Sequence, residues 1–150
     1  LDLPAMVRRL AARDPRAFTF AIALEDGRPL LGASPELLVA RRGDLVTCHP
    51  LAGSAKRAGS PALDRQRGHS LLASEKDRYE HALVVDAIRR GLEPVCSELD
   101  VPESPKLVTT HAMWHLGTQI VGRLADPATT ASALAQPRRS AATRPTGRGR

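Results

Sequence analysis

"SEKDRYEHALVVDAIRRGL", Ser74 to Leu92, is the stretch on which the reading of this chain turns. Leu83, Val84, Ala87, Ile88, Gly91 and Leu92 recur at the spacing that gathers side chains on one helix face. Ser74 is a good N-cap, and Asp77 follows it as a weak variant of the capping box. Extending the apolar stripe one turn toward the N-terminus reaches Glu80 and Asp77, with His81 nearby. An unpaired carboxylate on a buried face is unfavourable unless it finds a partner or takes up a proton. Glu80 therefore needs a cation, a metal or backbone donors, unless that end of the helix is exposed and it needs none. Spacing alone leaves both readings open.

On the N-terminal side, "FTFAIAL" (18–24) alternates like a strand, and "EDGR" (25–28) is a turn in which Gly27 can take positive φ. "PLLGAS" (29–34) and "ELLVARR" (36–42) are apolar strand material interrupted by Pro35; "GD" (43–44) turns and "LVTCHP" (45–50) returns. Residues 18–50 are thus predicted to form an antiparallel meander. "AMVRRLAAR" (5–13) predicts a short amphipathic helix with Met6, Val7, Leu10 and Ala11 inward, begun at Asp2 or Pro4. Residues 51–64, rich in Gly, Ala and Ser, predict a loop, and 64–74 a short helix. The helix from Ser74 ends near Pro94 or runs on as a turn to Cys96. Strands follow at "LVTT" and "HLGTQIVGRL", then a helix over 126–135 with Asp126 as cap and Pro127 at its first position. No internal repeat is present. The fold class is α+β.

The 150 residues suffice for one domain with a modest core, here residues 1–135. Residues 136–150, "QPRRSAATRPTGRGR", hold five Arg, no acid and no large apolar side chain, and are expected to be a basic, disordered tail. Without them the chain has 17 basic against 16 acidic residues, so its +6 charge belongs to the tail and not to a patch on the folded part. Aromatic residues make up only 3%, which leaves little for base stacking. No nucleic-acid partner is expected. No apolar run approaches the roughly 20 residues that span a bilayer, so no membrane partner is expected either. Cys48 and Cys96 form neither a CxxC nor a zinc spacing and read as two buried, reduced thiols in a cytoplasmic protein. The chain begins at Leu1 with nothing like a cleaved apolar segment before it, and is expected to be a partial chain.

Four features carry the candidate chemistry. In "GASPELL" (32–38), Pro35 breaks the strand and Glu36 follows within an apolar run. A carboxylate so placed would have the raised pKa that suits a general acid; alternatively it lies on the solvent face of an edge strand. "PLAGS" (50–54) is a small-residue loop whose backbone N–H groups can approach an anion, or else a flexible surface turn. Glu80 is the third. In "MWHLGT" (113–118), His115 is either a hydrogen-bonded core histidine or a contact to a polar substrate.

"GASPELLV", "PLAGSAKR", "LLASEKDRYEHALVVDAI" and "PKLVTTHAMWHLGTQIVGRL", in this order and spacing, resemble the blocks of the chorismate-utilising enzymes over roughly residues 1–135. Together they most resemble the isochorismate synthases of siderophore and menaquinone pathways, and "PLAGS" and "MWHL" are more similar to the siderophore-type enzymes than to anthranilate or aminodeoxychorismate synthases. The resemblance implies a body of two stacked antiparallel sheets flanked by helices, with the active site between them. It implies a Mg²⁺-dependent isomerisation of chorismate, in which water attacks C2 as the C4 hydroxyl leaves. Glu36 would be the general acid and Glu80 a Mg²⁺ ligand. Gly53 and Ser54 would contact substrate, and His115 would line the site. A downstream isochorismatase is an implied partner.

The same resemblance places a general-base Lys on a strand before Leu1, and further substrate-binding and Mg²⁺-binding residues after the region matched. The segment alone is therefore expected to be inactive, and the abrupt change after Ala135 is expected to reflect an out-of-frame tail. Two other classes compete: another chorismate enzyme (salicylate, anthranilate or aminodeoxychorismate synthase), or a non-catalytic interaction protein acting through its basic tail.

Overall fold

Pro35 breaks the expected meander in two. The computed structural model describes residues 2–135, so the expectations for the tail lie outside the described residues. In chain order the elements are α1 (Leu3–Arg13), β1 (Phe18–Ala23), β2 (Pro29–Ser34), β3 (Leu37–Arg42), β4 (Leu45–His49), β5 (Leu51–Lys56), α2 (Pro61–Ala73), α3 (Glu75–Leu92), β6 (Cys96–Asp100), β7 (Lys106–Thr109), β8 (Met113–Gly117), β9 (Ile120–Leu124) and α4 (Ala131–Ala135). Strands β1 and β2 pair only with each other. The other strands form a four-stranded sheet of order β3-β4-β9-β6 and a three-stranded sheet of order β5-β8-β7, antiparallel throughout. Pro35 has no N–H to continue a ladder, and at Pro35–Glu36 the chain leaves one sheet for the next.

Three more expectations change. Residues 51–56 are not a loop but edge strand β5, paired with β8 across an irregularity between Leu51 and Ser54. The segment after Pro94 holds a strand, β6, which its mixed composition hides. Of the helix expected over 126–135, only Ala131–Ala135 forms. Asp126 accepts from Ala128 N in a turn, Thr130 caps by accepting from Ala133 N, and Arg41 donates to the carbonyls of Pro127 and Thr129. With those carbonyls engaged by a side chain, the turn competes with the helix. At the other end, α1 starts as expected, with the Asp2 carboxylate accepting from Ala5 N at 3.0 Å. Val7 and Leu10 are half-buried, whereas Met6 and Ala11 are exposed.

The core lies where α3 meets the four-stranded sheet. Val46, Cys48, Leu92, Ile120 and Leu124 are buried, and Val85 and Ile88 of α3 pack against them. A fully buried aliphatic side chain such as Val46 or Ile120 contributes about 2 kcal/mol by leaving water. Cys48 and Cys96 are both free, and burial, with a smaller contribution from Cys96, pushes the Cys48 thiol up to about 11. At neutral pH Cys48 is therefore an inert thiol.

Helix α3 starts as expected, with Ser74 Oγ accepting from Asp77 N at 3.3 Å, a cap worth about 1 kcal/mol. Its inward face is the expected one only in part. Ile88, Leu92 and Asp77 turn toward the sheets as expected, joined by His81 and Val85, whereas Leu83 is 52% and Val84 38% exposed. Both stripes have helical spacing. The one that packs is fixed by His81, a polar residue whose buried ring has hydrogen-bond partners on the sheet side.

A second anchor joins α2 to the three-stranded sheet. The Arg57 guanidinium clasps Asp64, with Nε 2.9 Å from both carboxylate oxygens and Nη2 2.6 Å from Oδ2. Ala58 N and Trp114 Nε1 donate to the same carboxylate, and Arg57 lies 4.7 Å over the Trp114 ring. Arg57, helped by the Ala58 N–H, holds the Asp64 carboxyl well below the usual carboxylate range. A depressed folded-state pKa gives stability that is full above the unfolded value, about 3.9, and lost as pH falls toward the folded one. Thermal melts at decreasing pH should show a loss of stability setting in below about pH 4, and Asp64→Asn should flatten that dependence.

Candidate active site

Glu36 stands in the two-residue link between β2 and β3. Its backbone N–H donates to Ser34 Oγ at 3.2 Å, which fixes the turn and aims the side chain across to the next sheet. There Oε1 accepts from Leu51 N at 3.3 Å, at the start of β5. Glu36 is thus exposed, as the solvent-face alternative had it, but it stands in a link and not on a strand. The Leu51 N–H that the expected anion-binding loop would have offered is engaged by this carboxylate.

Along β5, Ser54 is directly opposite His115 of β8, and Ser54 Oγ lies 2.8 Å from His115 Nδ1. Burial pushes the His115 imidazole down and the Glu36 carboxylate pulls it partly back, so Glu36 acts on the same ring. Glu36, Ser54 and His115 are therefore brought together, although the sequence separates them by up to 79 positions. Alternation along β8 sends Trp114 against Gly68 of α2 and Leu116 against Gly53 and the α3 side, and leaves His115 on the opposite face. A cavity of about 290 Å³, bounded by Phe18, Pro35, Leu37, Thr47, His49 and Gln119, flanks the Glu36 link.

Gly53 closes the irregularity in β5. Its φ is +84°, and a Cβ there would sit 3.2 Å from Asp77 Cβ and 3.3 Å from Leu116 Cδ1. Only a residue without a Cβ allows both this backbone conformation and this approach to α3. Gly53→Ala is expected to lower stability by about 1–2 kcal/mol, read as a lower urea midpoint at unchanged slope.

Glu80 stands apart. It lies on the outward side of α3 with its side chain 53% exposed, and its partner is Lys76 at a loose 3.7 Å. Of the two positions that the extended stripe reached, Asp77 is half-buried and Glu80 is exposed, and the buried side chain here is that of His81. Among the described residues no group of three or more His, Cys, Asp or Glu is arranged to hold a metal ion. A hard cation such as Mg²⁺ takes oxygen ligands from several groups and keeps some water. An exposed carboxylate with one weak partner fits the part of a single ligand; the described residues do not complete the set.

Sequence reasoning passed over two groups. His81, adjacent to Glu80, is 1% exposed, with Nδ1 3.1 Å from Ala52 O and Nε2 2.8 Å from Thr118 Oγ1, and burial pushes its imidazole down. The cluster of Arg57, Asp64 and Trp114 was invisible because its members lie up to 57 positions apart. His81 alone left a signal, a polar residue in line with Val85, Ile88 and Leu92.

Known proteins resemble the chain at several levels. It is 46% identical over 136 residues to the isochorismate synthase DhbC of Bacillus subtilis, covering 87% of this chain and 34% of that protein. It is 48% identical over 123 residues to the isochorismate synthase EntC of Escherichia coli K12, covering 82% and 32%. The crystal structure of DhbC from Bacillus anthracis, assigned as a 2,3-dihydroxybenzoate-specific isochorismate synthase, superposes with a TM-score of 0.85 at 43% identity, over 90% of this chain and 37% of that one. The menaquinone-specific isochorismate synthase MenF of Escherichia coli superposes with a TM-score of 0.74 at 27% identity, over 83% and 29%. The chain thus spans about a third of the length of these relatives, and shares their α+β architecture. The description "chorismate binding enzyme" matches residues 1–137, and the chain belongs to that family.

Proposed function

We propose that the protein carrying this segment is an isochorismate synthase, which isomerises chorismate by adding water at C2 and expelling the C4 hydroxyl. The observation that carries the reading is that Glu36 bridges to the first residue of β5, the strand whose Ser54 pairs with His115 of β8. Among solved structures, the identity of 43% to DhbC, against 27% to MenF and 25% to an anthranilate synthase component I, supports this chemistry within the family.

In this reading each residue has a role. An allylic hydroxyl leaves as water only when protonated, and Glu36 in its acid form supplies that proton. Ser54 and Gly53 hold the substrate against β5, and the neutral His115 imidazole exchanges a hydrogen bond with Ser54 and lines the same face. Glu80 would provide one ligand to Mg²⁺, whose positive charge, when bound, would hold the substrate carboxylate. The base that accepts the proton from the attacking water is not assigned to any residue described here. A cytoplasmic location and a downstream isochorismatase belong to the same proposal.

The test is turnover. The protein expressed from its complete gene, with chorismate and Mg²⁺, should form isochorismate, followed by adding an isochorismatase and measuring the pyruvate it releases. Pyruvate formed without the added isochorismatase would point to a salicylate- or anthranilate-type reaction and overturn the proposal, as would no turnover. The 150-residue segment by itself should show none, because its described residues do not complete a metal-ligand set.

A further inference from the structure

His81 is the buried polar residue of α3 that the proposed reaction does not use. A carbonyl oxygen only accepts, so the 3.1 Å contact to Ala52 O puts a proton on Nδ1. In the neutral ring, Nε2 then accepts from the Thr118 hydroxyl at 2.8 Å. These two bonds join three pieces of chain. Ala52 immediately precedes Gly53 and Ser54. Thr118 immediately follows β8, which carries His115. Glu80 immediately precedes His81 itself. The joint is tight, since a Cβ on Gly53 would meet Asp77 of α3 at 3.2 Å.

We infer that His81 is a positioning residue: its ring sets α3 against the Gly53–Ser54 segment of β5 and the β8 end that presents His115. What is positioned rests on the isochorismate synthase reading; the clamp does not. Shifts of about 1 Å in groups that bind the reacting molecule can slow turnover by roughly 100-fold, so a buried side chain that touches no substrate still controls the rate.

The experiment uses the protein expressed from its complete gene and compares His81→Leu, which removes both bonds, with His81→Asn, whose amide N–H can still reach Ala52 O. Deuterium uptake by the peptide spanning residues 51–56 is measured beside kcat and KM for chorismate. His81→Leu should raise that uptake about tenfold and lower kcat about 10- to 100-fold with the protein still folded, and His81→Asn should recover much of both. Unchanged uptake at 51–56 overturns the inference. Raised uptake with unchanged kcat and KM also overturns it, because the role is then only structural. Should the leucine variant fail to fold, Thr118→Val removes one bond and carries the same comparison. Should the wild-type protein not convert chorismate, the functional reading falls, and the uptake arm alone decides whether His81 clamps β5.

Discussion

Glu36→Gln is expected to slow isochorismate formation by about 10²- to 10⁴-fold, the usual range for losing a general acid. The substitution is chosen for what it keeps. A glutamine Oε1 still accepts from Leu51 N, so the bridge from the β2–β3 link to β5 survives. What is lost is the transferable proton. The drop should therefore fall on kcat, with KM for chorismate little changed, because the interaction lost is one made in the transition state. A variant that retains kcat within threefold of wild type would remove Glu36 from the chemistry.

Ile120→Ala is expected to cost about 2–5 kcal/mol, a large part of the 5–15 kcal/mol that holds a domain of this size together. Ile120 is fully buried, on β9 at the centre of the four-stranded sheet, and packs in one cluster with Val46, Cys48, Leu92 and Leu124. Little can collapse into the space it would leave between β4 and β6. The control is Leu83→Ala. Leu83 is as apolar, but 52% exposed on the outward face of α3, and should change stability by less than about 0.5 kcal/mol. Denaturant unfolding of the two variants sets the core on β9 against the outward face of α3; equal losses would mean that Leu83 is part of the core.

The two faces of α3 also mark how far a single sequence can be read. The start of α3 at Ser74 was legible because a cap and periodicity are local, whereas its end, expected near Pro94 or beyond, falls at Leu92. Which face turns inward was legible only in part, because Leu83 and Val84 carry the stronger apolar signal and the deciding contacts of His81 are with Ala52 and Thr118, 29 and 37 positions away. The same divide runs through the candidate site. Glu36, Gly53, Ser54, Glu80 and His115 were each picked out by family-like blocks, yet nothing local said that Glu36 would meet Leu51 N while Glu80 stood apart. Small residues at 51–56 read as a loop because strand propensity is weak there; pairing with β8 overrides it. The turn at 126–130 escaped because the side chain that stabilises it, Arg41, comes from another hairpin.

Strand β8 has a consequence for how this segment can vary. Its neighbouring residues serve opposite sides: Trp114 binds Asp64 beneath α2, His115 meets Ser54, and Leu116 supports Gly53. Substitutions along it should have graded effects, each confined to one contact. Inserting or deleting a single residue should not. It would turn the indole to the His115 side and the imidazole toward α2, undoing the anchor and the site in one step. Relatives should therefore differ freely in the exposed turn around His111 while keeping the number of residues between Trp114 and Thr118 constant.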